Sequence, residues 1–293
     1  MNLKRILFPE SYNYIACFLT FRCNIHCEYC INLLTPEKRR AQRELSGREW
    51  VRAINRISHV RNVPITLQGG EPSLHPDFFW IINHVNPRQP IDILTNLSFN
   101  VEKFISSVEP SRLKRKAPYA SIRVTYHPTD MDLDELILKV LRMKRAGFSI
   151  GVYGILHPRF KRKTLSAQIR CRNLGIDFRT KEFLGEYGGK TFGAFLYPDA
   201  VNNPKKKACL CRTTELILGP NGDVFRCHHD LYEGQSPLGN LLDKDFEIKD
   251  EYRKCVHYGS CNPCDIKVKT NRFQNFGHVS VKIKDVVRKA SGR

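Results

Sequence analysis

Three cysteines fall within eight residues, Cys23, Cys27 and Cys30, spaced Cys-x3-Cys-x2-Cys. Thiolate is the soft ligand that zinc and iron–sulfur clusters select. Zinc sites want four ligands, which this triplet alone does not supply. A cuboidal cluster has four irons, so three cysteines leave one iron open to another molecule. An open coordination position separates a reactive metal centre from a closed structural one, by the logic known for zinc. Further on, Gln68-Gly69-Gly70-Glu71-Pro72 joins two glycines, which let backbone approach a ligand, to a carboxylate able to bind an ammonium group. Taken singly, the triplet also suits reduced thiols or part of a zinc knuckle, and the second stretch an ordinary turn.

Such groups need a scaffold. Asn13 to Phe21, rich in Tyr, Ile, Phe and Thr, reads as a buried strand that delivers the cysteine loop at its C-terminal end. Cys17 within it is a core thiol. Ser46-Gly47-Arg48-Glu49 is a capping box opening a helix with Trp50, Val51, Ile54 and Ile57 on it. Val63 to Leu67 is a strand, Asp77 to Val85 a helix, and Ile91 to Leu94 a strand ending in Thr95-Asn96. A polar helix runs to Val108. On the strand Ala120 to Tyr126, Arg123, Thr125 and His127 share one face by the period of two. Leu133, Leu136, Ile137, Val140 and Leu141 mark a helix that stops at Gly147. Ser149 to Ile155 is a strand, Thr164 to Leu174 a helix with Cys171 as a packing residue, and Asp177 to Phe183 a strand. Six strands alternating with helices predict parallel α/β structure. A closed barrel takes eight such units, so the expected fold class is α/β, a partial (βα)6 barrel. Barrel folds carry their chemistry at the C-terminal ends of strands.

From Gly185 the composition shifts through glycines to Asn202-Asn203-Pro204 and three lysines, a linker by its punctuation. The expected division is a barrel over 1–184, a linker over 185–208 and a small cysteine-rich domain with a basic tail over 209–293. Six of the eleven cysteines lie in that last part: Cys209, Cys211, Cys227, Cys255, Cys261 and Cys264. Leu216 to Cys227 reads as a hairpin turning at Pro220-Asn221-Gly222. Val279, Val281 and Ile283 alternate as a short strand. Four thiolates on two hairpin-like turns suit a zinc ribbon or an iron–sulfur cluster, because spacing alone does not separate the metals. His228 and His229 directly follow Cys227 and read as surface residues, with contact to the metal site as the alternative.

The cysteine triplet, followed one helix and one strand later by Gly69-Gly70-Glu71-Pro72, resembles the signature of the radical S-adenosylmethionine (SAM) enzymes. The resemblance implies a 4Fe–4S cluster on Cys23, Cys27 and Cys30, with the fourth iron chelated by the amino and carboxylate groups of SAM. Tyr29, just before the third cysteine, fits the same pattern. Gly69, Gly70, Glu71 and Pro72 are implied to bind the methionine amino group, and Thr95 and Asn96 the ribose or carboxylate of SAM. Inside the barrel Thr125 would face SAM, and Arg123 and His127 the reacting substrate. Cys211-x10-Gly222-x4-Cys227 resembles the opening of the cysteine-rich extension called SPASM, or its shorter form, twitch, with Cys261 and Cys264 as a closing pair. The further cysteines of SPASM are missing after Cys264, which implies one auxiliary 4Fe–4S cluster. Its expected ligands are Cys211, Cys227, Cys261 and Cys264; Cys209 can replace Cys211, and Cys255 can leave or join.

By the same resemblance, the reduced cluster passes one electron to SAM and the resulting 5′-deoxyadenosyl radical abstracts hydrogen from substrate. An auxiliary cluster then accepts the substrate electron, making a net oxidation, or binds substrate directly. An electron donor such as flavodoxin or ferredoxin is the implied protein partner. Eleven cysteines without an export signal argue for metal over disulfides and for the cytoplasm, and no apolar stretch reaches membrane-spanning length. Net charge is +19, with basic runs at Lys38 to Arg40, Lys114 to Lys116, Arg159 to Lys163 and Lys205 to Lys207. Together the runs suggest an anionic partner and are expected to rim the barrel mouth. The favoured substrate is a phosphorylated or nucleotide-linked small molecule. A peptide substrate is the alternative, disfavoured because the first strand starts near Asn13 and leaves no separate N-terminal leader-binding domain. A rival from another class is a non-catalytic iron–sulfur or zinc protein that binds nucleic acid; it leaves Gly69-Gly70-Glu71 unexplained.

Overall fold

A computed structural model describes residues 4–34, 42–58, 63–201, 203, 207–269 and 277–286. The first basic run, Lys38 to Arg40, and Lys205 and Lys206 of the last lie outside the described residues. Six parallel strands hydrogen-bond in chain order: β1 (Tyr14–Thr20), β2 (Ile65–Gly69), β3 (Ile91–Thr95), β4 (Ile122–Tyr126), β5 (Ile150–Leu156) and β6 (Phe178–Glu182). Between them run α1 (Gly47–Asn55), α2 (Phe78–His84), α3 (Val101–Ser107), α4 (Leu133–Arg145) and α5 (Lys161–Asn173). The capping box at Ser46 closes, with its backbone N–H donating to Glu49 at 2.9 Å. After α4 the chain turns at Gly147 with φ of 90°, a conformation that favours glycine.

Every residue of β1 is buried, as expected for a strand covered on both faces. Ile15, Cys17 and Leu19 pack with Trp50, Ile54, Phe78 and Phe104 in the main core, which also takes in Cys171. Both cysteines are packing residues, as the sequence implies. Tyr14, Ala16 and Phe18 point the other way, onto Phe21, Ile217, Phe225, Leu231 and Tyr232.

That second face is closed by the C-terminal part of the chain. β7 (Lys207–Thr213) is followed by β8 (Glu215–Leu218), which lies parallel to β1 with Glu215 opposite Tyr14 and Leu218 opposite Cys17. β9 (Asp223–Phe225) turns back on β8 as the expected hairpin, with Gly222 at φ of 85°. A helix α6 (His228–Glu233) follows, and β10 (Gly239–Asn240) completes a nine-stranded sheet. β7 itself sits between β11 (Arg253–Tyr258) and β12 (Val281–Asp285) in a separate antiparallel sheet. Residues after 209 therefore contribute both to the barrel sheet and to a cysteine-bearing sheet beside it. No helix among the described residues is long and apolar enough to cross a membrane.

Candidate active site

The cysteine loop leaves β1 and is fixed by the end of β2. Gly70 N donates to Thr20 O at 2.9 Å and Glu71 N to Arg22 O at 2.8 Å. A Cβ on Gly69 would stand 2.1 Å from Thr20 O, and one on Gly70 2.2 Å from Arg22 O. The two glycines thus admit the start of the cysteine loop itself before they admit any ligand. Glu71 is 1% exposed. Its carboxylate accepts from Ser73 N at 3.1 Å, Ser73 Oγ at 2.6 Å, Thr95 Oγ1 at 2.8 Å and Asn96 N at 2.7 Å. Burial pushes its pKa up against those four bonds. Asn96 in turn donates through Nδ2 to Asn24 Oδ1, on the cysteine loop, at 2.9 Å. Thr95 and Asn96 therefore hold Glu71 and the loop together. Pro72 is buried and opens the short turn that Glu71 caps.

A cavity of about 370 Å³ opens beside this network, lined by Cys27, Tyr29, Cys30, Gly69, Arg123 and His127 among others. Glu71 and Thr125 are not among its lining residues. The cysteine thiols are free of disulfides and act on one another electrostatically; burial, then the neighbouring Cys30, pushes Cys27 up to about 12. Three thiols on one loop, two of them on the wall of a large cavity, are a donor set that fits a cluster with one open iron. His127 Nδ1 lies 2.9 Å from Cys27 Sγ and 3.4 Å from Tyr29 Oη. Tyr29 stacks on His127 and on His157, with ring centroids 6.3 and 5.2 Å apart. His157 was not singled out from the sequence. The available signal was a His-Pro pair closing each of two consecutive strands, His127-Pro128 and His157-Pro158.

Burial lowers His127 from 6.5 to about 4. A depressed folded pKa contributes stability that is present above the unfolded value and lost as pH falls through the folded one. Metal-free protein should therefore lose up to about 3 kcal/mol between pH 6.5 and 4 through this residue. Urea denaturation of wild type and His127→Gln across that range checks it, since the variant should lack this component.

Arg123 is mostly buried and bonds Asp92 Oδ2 at 3.1 Å. Asp92 is fully buried and also takes both prongs of Arg115, each at 2.7 Å. Two guanidiniums on one carboxylate leave a positive charge in excess, and Arg123 Nε has no partner. Arg179, Lys181, Lys267 and Lys269 also line the cavity with Glu182; Arg179 pairs with Asp177 at 3.0 Å, Lys267 with Glu182 at 3.1 Å and Lys269 with Glu215 at 3.9 Å. The basic runs do not supply these cations. Among the described residues, no member of a run lines the cavity; Arg115 is buried behind it, and Arg159 pairs with Glu28 at 2.9 Å.

The C-terminal thiols divide. On β7 the strand period puts Cys209 and Cys211 on one face, and Cys209 lies opposite Cys255 on β11. Their three sulfurs lie within 4.8 Å of one another, all buried, with Cys209 and Cys211 3.5 Å apart. Hydrogen bonds from Cys209 and Cys211 hold the Cys255 thiol well below its ordinary pKa. Cys227 and Cys261 pack against the same buried group, whereas Cys264 lines the cavity. Of the four ligands expected from the sequence, Cys211 alone belongs to the close triad. His228 is buried, not on the surface, with Nδ1 3.0 Å from Asp265 Oδ1; the His229 ring lies tilted to that of His257, with centroids 4.9 Å apart.

Residues 18–155 match the family model described as the radical SAM superfamily. They form a radical SAM domain. Over 79 residues the chain is 33% identical to the PqqA peptide cyclase of Rhodopseudomonas palustris, covering 27% of the chain and 20% of that protein. Over 217 residues it is 26% identical to the GTP 3′,8-cyclase of Aquifex aeolicus, covering 64% of the chain and 62% of that protein. The chain thus spans less than two thirds of either relative. Among solved structures it resembles native anSMEcpe with bound AdoMet and Kp18Cys peptide, with a TM-score of 0.53 and 12% identity, covering 81% of the chain and 80% of that one. At that identity the likeness is one of fold. A radical SAM domain takes a 4Fe–4S cluster and SAM, and the Cys209/Cys211/Cys255 triad offers a place for a second metal group.

Proposed function

We propose that this radical SAM enzyme acts on an anionic small molecule, phosphorylated or nucleotide-linked. The observation that carries the reading is the cavity wall, cationic at Arg123, Arg179, Lys181, Lys267 and Lys269 and bordered by Cys27 and Cys30. Cys23, Cys27 and Cys30 would hold the cluster, and SAM would complete its open iron. When bound, the two supply a 5′-deoxyadenosyl radical that abstracts hydrogen from substrate. The chain's own residues do the rest. Backbone at Gly69 meets the methionine end of SAM, and Glu71, Thr95 and Asn96 hold that backbone in place. Arg123 lines the cavity with a guanidinium anchored at Nη2 on Asp92 and would meet an anionic group there. Tyr29, between two histidines, walls the cavity and helps keep water from the reacting carbon. His127 stays neutral there and works as a wall residue at Cys27. A metal group on the C-terminal thiols would serve a net oxidation, and a small redox protein would supply the electron.

The nucleotide-linked version draws support from the GTP cyclase, whose similarity extends over more of the chain than that of the peptide cyclase. A peptide is the second reading, favoured by the substrate in the name of the latter. A salt series separates a small anion from RNA. A small anion meets few cations and its affinity should fall shallowly with salt, whereas RNA should show a steep linear fall of log affinity against log salt. Arg123→Ala leaves Asp92 paired with Arg115 and should lower the ratio of substrate product to 5′-deoxyadenosine by about 10–100-fold, because substrate positioning is lost while SAM cleavage continues. A ratio indifferent to both salt and Arg123 would remove the anionic substrate.

A further inference from the structure

We propose that Arg226 is the buried counter-charge of the auxiliary metal site, stabilising its thiolates and setting its reduction potential. The proposal rests on the reading that the Cys209, Cys211 and Cys255 group takes an iron–sulfur cluster. Arg226 stands at the end of the β8–β9 hairpin, one residue before Cys227, and its side chain is 9% exposed. Nη1 donates to Lys254 O at 2.8 Å, next to Cys255 on β11. Nη2 pairs with Asp230 at 2.8 Å, and Asp230 is 1% exposed. Nε is buried without a partner. The guanidinium lies within electrostatic reach of Cys227, Cys255 and Cys211.

A buried ion pair is a poor way to stabilise a fold, since two apolar residues of similar volume do as well or better. An orphaned N–H on a buried guanidinium adds to the cost. Both features make sense once the thiols beside it are thiolates. Metal uptake strips a proton from each ligand thiol and turns a neutral pocket negative. A fixed cation there favours the thiolate, as it does for reactive cysteines generally. Net charge and hydrogen bonds to sulfur are also the levers that set iron–sulfur potentials. The reduced cluster carries one more negative charge than the oxidised one, so removing Arg226 should favour the oxidised form.

The test uses the full chain with Cys23, Cys27 and Cys30 changed to Ala, so that only the C-terminal site reports. It is reconstituted with iron and sulfide without oxygen and titrated by electron paramagnetic resonance. In that background Arg226→Gln with Asp230→Asn is read against Asp230→Asn alone, so that the two proteins differ by the arginine's charge and neither leaves a bare carboxylate. The expected result is retained iron with the one-electron equilibrium moved tenfold or more toward the oxidised form, about 59 mV downward. Arg226→Lys keeps the charge and should restore most of that shift. Should the amide pair fail to fold, Arg226→Lys against Arg226→Gln alone gives the same comparison. Retained iron with an unmoved potential would overturn the counter-charge and leave the cluster reading intact. Zinc in place of iron in the parent would overturn both, because no potential would exist to set.

Discussion

Changing Cys23, Cys27 and Cys30 together to Ala should cut reconstituted iron from about eight to about four atoms per chain and abolish SAM cleavage. The loop carries Cys27 and Cys30 at the edge of the cavity, and none of the three belongs to the core that β1 builds with Trp50 and Phe78. Folding should therefore survive, with circular dichroism unchanged. The irons that remain belong to the C-terminal thiols. If they are replaced by zinc, the auxiliary cluster drops out while the first cluster stands. If the triple change leaves the iron count untouched, the cysteine loop is not a cluster site.

Glu71→Gln should lower both SAM affinity and stability. The native carboxylate accepts from four donors in a site 1% exposed, and an amide can accept with one oxygen only. Its NH₂ then faces a donor, at about 1–3 kcal/mol for each group left unpaired. SAM binding should weaken tenfold or more because the loop bearing Gly69 and the cysteine loop bonded to it through Gly70 both shift. Ser73→Ala decides how the effect travels. It removes one donor to the carboxylate, and Ser73 is not among the lining residues of the cavity. A partial loss of SAM affinity in Ser73→Ala means that Glu71 acts through the loop; an unchanged affinity means that its charge meets the methionine ammonium directly. Denaturation and SAM titration of both variants give the answer.

Local chemistry was legible in this sequence and non-local pairing was not. All six barrel strands and their helices stand where alternation, capping at Ser46 and the glycine stop at Gly147 put them, because those signals are complete within a short stretch. The parallel insertion of β8 beside β1 depends on partners far apart in the chain, and nothing in Leu216 to Leu218 names Tyr14 to Cys17 as the neighbour. The same limit decided the cysteines. Motif spacing favours Cys227, Cys261 and Cys264, whereas the β7–β11 register brings Cys255 across from Cys209. Charge showed a like failure. Counting lysines and arginines gives the net excess, but Arg115, in the middle of a basic run, is buried against Asp92, and the cavity's cations come from isolated positions on β4, β6 and the C-terminal segment.

The central claim is that the Cys23, Cys27 and Cys30 loop holds a cluster whose open iron receives SAM. Protein reconstituted with iron and sulfide in the absence of oxygen, reduced with dithionite and given SAM, tests it most directly. The expected result is 5′-deoxyadenosine in the products, together with a change on SAM addition in the paramagnetic spectrum of one cluster, both absent from the triple Ala variant. A spectrum that ignores SAM, with no 5′-deoxyadenosine formed, would contradict the account.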